Sequence, residues 1–173
     1  MTAVAGSVFT AAQFNQYVRD NLNECPAAKA TTQGSIFVTS DTNRVAERIP
    51  AVGILNTSGT TTSTAYADLA STGPSVSVTT GVSAIVLLTA NLSNNTVGQN
   101  AYASYEVSGA TSATATDDRS VFLTAASAGQ TLRATQAYFE TGLTPGTNTF
   151  NCKYRVTGGT GTFTNRRISV IPF

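Results

Sequence analysis

The chain has 173 residues, with ten Lys and Arg against nine Asp and Glu and no histidine; the length argues for one domain, or one with a small appendage. Charged residues make up 11%, under half the roughly 25% usual in soluble globular domains, so there is no basic footprint for nucleic acid and no polybasic membrane patch. Without His, triads, general bases and metal sites built on imidazole are excluded together. The polarity missing from charges returns as thirty Thr and sixteen Ser, and 41% of the chain is hydrophobic, a composition for a folded protein rich in β-structure.

The first eight residues have no basic region followed by an apolar one, so no secretory signal is expected. The longest apolar run, 84–88, is far short of the ~20 residues a membrane span needs. Cys25 and Cys152 lack paired spacing and are expected to be reduced.

Three segments follow in order: an N-terminal helix within 1–26, a linker with a β-hairpin over 27–55, and a β domain over 56–173. Thr10 with Gln13 forms a capping box, and Phe9 with Phe14 has the spacing of a hydrophobic staple. Phe14, Tyr17, Val18 and Leu22 then fall on one face of a 3.6-residue helix, and Pro26 is expected to end it. Such a helix is marginal alone in water. Its stripe must be covered, either by its own β domain or by a partner or further copies. Residues 35–39 and 44–49 flank Asp41-Thr42-Asn43, which predicts a hairpin.

From residue 56 strand-like runs recur: 66–69, 76–78, 84–90, 101–107, 121–123, 132–139, 149–156 and 168–173. The run 84–90 is nearly all apolar, as in a strand covered on both faces. In 149–156 the residues Phe150, Cys152, Tyr154 and Val156 alternate with polar ones. Residues 109–119 lack periodicity and read as an exposed loop. The expected fold is mainly β: a jelly-roll-like β-sandwich of eight or nine strands, preceded by a short helix and hairpin.

Catalytic chemistry is scarce. Asp117-Asp118 is the one acidic doublet and reads as part of a solvated loop; Glu106 and Glu140 stand isolated on strands. Arg166-Arg167 could bind an anionic surface, but just before the last strand it reads first as edge charge that discourages sheet-to-sheet aggregation. Three Asn-x-Ser/Thr matches, at Asn56, Asn91 and Asn94, are chance products of a Thr-rich chain. No phosphate loop or dinucleotide fingerprint occurs, so no enzyme activity, cofactor or metal is expected.

Phe9-Thr-Ala-Ala-Gln-Phe-Asn-Gln-Tyr-Val-Arg-Asp-Asn-Leu22 resembles the N-terminal anchor of small virion proteins in phages of actinobacteria. Gly34-Ser-Ile-Phe-Val-Thr-Ser-Asp-Thr-Asn-Arg-Val-Ala-Glu-Arg-Ile-Pro50 looks like the short hairpin of phage fibre proteins. The stretches Gly142-Leu-Thr-Pro-Gly-Thr-Asn-Thr-Phe150 and 154–172 are similar to the last strands of phage fibre heads. The resemblance covers about half the chain. It implies a phage structural protein on the virion surface, assembled in the host cytoplasm: a homotrimeric capsid fibre, decoration or tail fibre. Phe9, Phe14, Tyr17, Val18 and Leu22 would anchor it to a major capsid or tail protein. The alternative is an adhesin binding a host-surface glycan. With no Trp, Tyr66, Tyr102, Tyr105 and Tyr138 are then the candidate stacking residues.

Overall fold

Thr10 has extended backbone, and its Oγ1 accepts from the Gln13 amide at 3.2 Å while the Gln13 side-chain carbonyl accepts from the Thr10 amide at 3.0 Å. This is the expected capping box. The computed structural model describes residues 8, 10–23 and 25–173, so Phe9 and its staple lie outside the described residues. The helix is not uniform. An α turn, α1 (Ala11–Phe14), passes into a π turn at Asn15–Arg19 and then into α2 (Asp20–Asn23), which breaks the 3.6-residue period in the middle of the stripe. Pro26 does not merely stop the helix: Cys25 is extended, and Pro26 opens a further turn, α3 (Pro26–Lys29), where its missing N–H costs nothing.

The hairpin pairs β1 (Ile36–Asp41) with β2 (Arg44–Arg48), Ile36 opposite Arg48, and Asn43 turns the chain at φ 57°. Glu47 ties the preceding segment to it. Its carboxylate accepts from Ser35 Oγ at 2.6 Å, from the amides of Thr31 and Thr32 at 3.1 and 2.8 Å, and from Thr31 Oγ1. Those donors, the Ser35 hydroxyl foremost, hold the Glu47 carboxyl down to about 2.

The chain divides into two compact units, Met1–Arg48 and Ile49–Phe173. Residues 51–55, placed by the sequence with the hairpin segment, belong to the second unit as an edge strand, because Ala51–Leu55 pairs with Arg166–Val170. That unit contains β3 (Ala51–Leu55), β4 (Gly59–Thr61), β5 (Ser75–Thr80), β6 (Ser83–Asn94) and β7 (Asn100–Gly109). It continues with β8 (Val121–Thr124), β9 (Thr131–Thr141), β10 (Gly146–Val156) and β11 (Gly161–Pro172). The expected strand at 66–69 is a single bridge, Ala67 opposite Tyr154.

One sheet runs β5-β10-β7-β8 and the other β3-β11-β6-β9, with β4 beside the far end of β11. Apart from β4, the strands pair from the ends inward: β3 with β11, β5 with β10, β6 with β9, β7 with β8, all antiparallel. One long antiparallel ribbon has been rolled into two facing sheets, which is the jelly roll. Its inner residues close one core. Phe150, Cys152, Tyr154 and Val156 of β10 face Val86, Leu88 and Leu92 of β6, all essentially fully buried. Both cysteines are free thiols, and burial raises that of Cys152 to about 12.

A β-bulge decides how β11 ends. Register with β6 shifts between Thr164 and Arg167, and Asn165 adopts φ 48°. The extra residue reverses the alternation, so that Phe163 before it and Ile168 and Val170 after it all face the core. The same bulge turns Arg166 inward and Arg167 outward.

Candidate functional site

Arg166 is not the edge charge the sequence suggested. It lies on a strand with neighbours on both sides and is fully buried. Its Nη1 donates to the carbonyls of Gly73 at 3.1 Å and Ser71 at 3.3 Å, its Nη2 to the carbonyl and hydroxyl of Thr57 at 3.2 and 3.3 Å, and its guanidinium lies 5.3 Å from the Tyr154 ring centre. The Tyr154 hydroxyl donates to the same Gly73 carbonyl at 2.9 Å. This group is structural: it fastens the β3–β4 and β4–β5 connections to the core.

The acidic residues are committed in the same way. The segment 109–120 is not a free loop. Ala113 bridges to Val107, Ser104 Oγ donates to Thr116 O at 2.7 Å, and Asp117–Arg119 form one 3-10 turn. Asp117 pairs with Arg155 and accepts from the Tyr66 hydroxyl at 2.8 Å. The Arg155 hydrogen bond holds the Asp117 carboxyl below its ordinary value, and burial, with Asp117 next, pushes the Tyr66 phenol up to about 12. Glu140, isolated in the sequence, is buried and bound by Arg119 and by the Tyr105 hydroxyl at 2.7 Å. Asp117 and Glu140 therefore each neutralise an arginine, which is no arrangement for paired acid–base work. Among the described residues no group of three or more His, Cys, Asp or Glu could hold a metal ion.

Of the four tyrosines weighed as stacking platforms, Tyr105 is fully buried and is withdrawn. Tyr66 and Tyr102 flank Arg155, whose guanidinium is 4.0 Å from the Tyr102 ring centre and 5.4 Å from that of Tyr66; Phe122 stacks on Tyr102 at 5.3 Å. Tyr138 lies 5.9 Å from the Arg119 guanidinium. Each of these three rings thus already has one of the protein's own cations over a face, and Tyr102 has Phe122 stacked on it as well.

The two outer faces of the jelly roll differ. The β5-β10-β7-β8 face is polar apart from the stacked Tyr102 and Phe122: Lys153 bonds Asp68 at 2.7 Å and Glu106 at 3.1 Å, and Ser77 shares a hydrogen bond with Thr149 at 2.7 Å. Burial works against the Lys153 charge, but Asp68 and Glu106 more than offset it and raise its pKa. The β3-β11-β6-β9 face changes character along its length. At one end Ile85, Phe139 and Ile171 stand in register, followed by Leu87, Ala137, Ser169 and Val52. Phe139 is 58% exposed and Val52 49%, and the outward β6 residues Ile85 and Leu87 are half-buried, less covered than the apolar run suggested. At the other end Ile54, Asn56, Arg133, Asn165 and Arg167 line a cleft of about 330 Å³.

In the first unit Phe14 and Leu22 lie on the α turns and Tyr17 and Val18 in the π turn, with Phe14 48%, Tyr17 42% and Leu22 61% exposed and Val18 half-buried. Phe9 lies outside the described residues. The residues sequence reasoning missed are Arg133 and the apolar rows on β3, β6 and β9; Arg167 was singled out, but with edge charge as its favoured role. The available signal was the change of parity between Phe163 and Ile168.

No family model and no curated protein matches the chain. Among solved structures, it is similar to a chain of infectious bursal disease virus, Gx strain, at 14% identity and a TM-score of 0.43, over 78% of this chain and 36% of that one. The VP2 subviral particle of infectious bursal disease virus is similar at 10% identity and a TM-score of 0.43, over 77% and 36%. The chain spans about a third of the length of these structures.

Proposed function

We propose that the chain is a structural protein of a phage virion, mounted through its N-terminal helix and displaying the jelly roll as a homotrimeric fibre, decoration or tail-fibre head. The observation that carries the reading is an exposed aromatic stripe on a capped helix, in a unit separate from a jelly roll whose own core is complete. A helix this short does not persist without burial of that stripe, and Phe14, Tyr17 and Leu22, already about half covered, would each gain on the order of 1 kcal/mol on full burial. Repeated over three copies, several such burials hold a small fibre on a multimeric platform. The resemblance of both ends of the chain to phage anchor and fibre-head segments points to the same role.

Trimer formation is supported by the apolar rows around Phe139. A patch containing Val52, Ile85, Leu87, Phe139 and Ile171 has the chemistry of a subunit contact, and the weakly charged Ser/Thr surface gains solubility from covering it.

The test is a double variant, Tyr17→Asp with Leu22→Asp, which puts two carboxylates into the anchoring face. The jelly roll should keep its circular dichroism and heat denaturation, and the protein should be missing from assembled virions. Unfolding of the jelly roll would make the helix part of its core; incorporation at normal copy number would move attachment elsewhere. A second reading, a host-surface adhesin, draws on the cleft between Arg133 and Arg167.

A further inference from the structure

We propose that the cleft lined by Ile54, Asn56, Arg133, Asn165 and Arg167 binds the oxyanion of an acidic sugar unit, a carboxylate or phosphate carried on a monosaccharide-sized group. This deepens the adhesin reading and rests on it for biological meaning, but the chemistry of the cleft does not depend on where the chain is mounted.

The first support is charge accounting within the jelly roll. Arg119 is engaged by Glu140, Lys153 by Asp68 and Glu106, Arg155 by Asp117, and Arg166 by carbonyl oxygens. Arg133 and Arg167 are the two remaining cations of this unit, and among the described residues neither side chain has an ion pair or hydrogen-bonded partner. Both line one cleft, and no carboxylate lines it with them. Two cations lining one cleft without a counter-charge repel each other; a bound anion would relieve this.

The second support is position. Edge strands carry charge to discourage pairing, which would account for Arg133 on the edge strand β9. It does not account for Arg167, on β11 between β3 and β6. Arg167 faces this cleft because the bulge at Thr164–Arg167 resets the alternation, and the bulge residue itself, Asn165, joins the lining. Bulges re-aim side chains in this way beside binding sites.

The third support is the composition and size of the lining. Two planar five-donor forks suit the paired oxygens of a carboxylate or phosphate. The carboxamides of Asn56 and Asn165 can both donate to and accept from sugar hydroxyls, and Ile54, 52% exposed, offers an apolar wall. A volume of about 330 Å³ is at the small end of ligand sites, suited to one sugar ring rather than to a peptide.

The experiment is a titration of the purified full chain, followed by NMR of the arginine Nε–H and backbone amides, with sodium glucuronate, glucose 6-phosphate, glucose, acetate and inorganic phosphate as separate probes. Saturable shifts centred on Ile54, Asn56 and Arg167 are expected with glucuronate or glucose 6-phosphate and not with glucose. Arg133→Gln and Arg167→Gln should each weaken that binding at least about tenfold, the scale of one lost charge-assisted contact. Arg133→Lys and Arg167→Lys, which keep charge but lose the fork, should weaken it less. Each variant's thermal denaturation is read alongside, and the Lys pair carries the test if a Gln variant misfolds. Acetate or inorganic phosphate binding as tightly as the sugar acids would overturn the sugar assignment. Absence of saturable binding to every anion, or binding insensitive to both arginines, would overturn the site. Virion incorporation of Arg133→Gln should stay normal, so failure of this site and failure of the anchoring reading are read in different assays.

Discussion

Arg166 and Arg167 are consecutive in the chain and serve opposite sides of one sheet: the Arg166 guanidinium donates to Gly73 O at 3.1 Å within the core, while Arg167 lines the outer cleft. The reversal follows from the left-handed Asn165 and the bulge around it. A regular strand would place every second residue on one face and could not bury Phe163, Arg166, Ile168 and Val170 together.

Arg166 is a buried cation neutralised by backbone dipoles and an aromatic face instead of a carboxylate. Arg166→Ala leaves the carbonyls of Thr57 and Ser71 without their side-chain donor, leaves Gly73 O with the Tyr154 hydroxyl alone, and empties a large buried volume. The expected loss is roughly 3 kcal/mol or more, read as a lower urea midpoint. Arg166→Lys, whose single ammonium cannot span Thr57 and Gly73 at once, should lose less.

Glu140 stands between Arg119 and Tyr105. Glu140→Gln preserves shape but leaves the half-buried Arg119 without its counter-charge, a loss on the order of 1–3 kcal/mol. The double variant Arg119→Met with Glu140→Gln should recover part of it in a double-mutant cycle. The purified protein should release no reducing ends from host polysaccharide. Release that disappears in Glu140→Gln or Asp117→Asn would show a catalytic role for these carboxylates.

Glu47 gives the first unit a pH dependence of defined sign. Its folded carboxyl titrates at about 2 against an ordinary value of 4.5, so its hydrogen bonds contribute fully above about pH 4.5 and fade as pH falls toward 2. The Thr31 and Thr32 amide resonances of the folded protein should shift with a midpoint near pH 2. In Glu47→Gln the shift should be absent.

Phe139→Asp together with Val52→Asp places charge in the apolar rows of β9 and β3. If these rows form the trimer contact, light scattering should fall from three chain masses to one while the heat-denaturation transition stays cooperative. A wild-type protein that scatters as one chain at all working concentrations would rule out the homotrimer.

The helix cap, the hairpin turn and the inward face of β10 were legible in the sequence, because each rests on local rules: Thr10 and Gln13 are three residues apart, Asn43 tolerates a left-handed turn, and Phe150 to Val156 alternate without interruption. The sandwich class was legible from the number and spacing of strand-like runs. The pairing of ends inward, which makes β3 an edge strand of the jelly roll instead of a hairpin extension, was decided by contacts more than a hundred residues apart, such as Val52 with Ser169. The same holds for charge. Asp117, Arg119 and Glu140 read as loop or isolated residues because their partners lie 21 to 38 residues away, and Coulomb attraction depends on distance in space, not along the chain. Which side of the sheet Arg166 and Arg167 would take depended on one bulge residue. A period of two carries no memory of where it was reset, so only the folded register could separate the buried arginine from the exposed one.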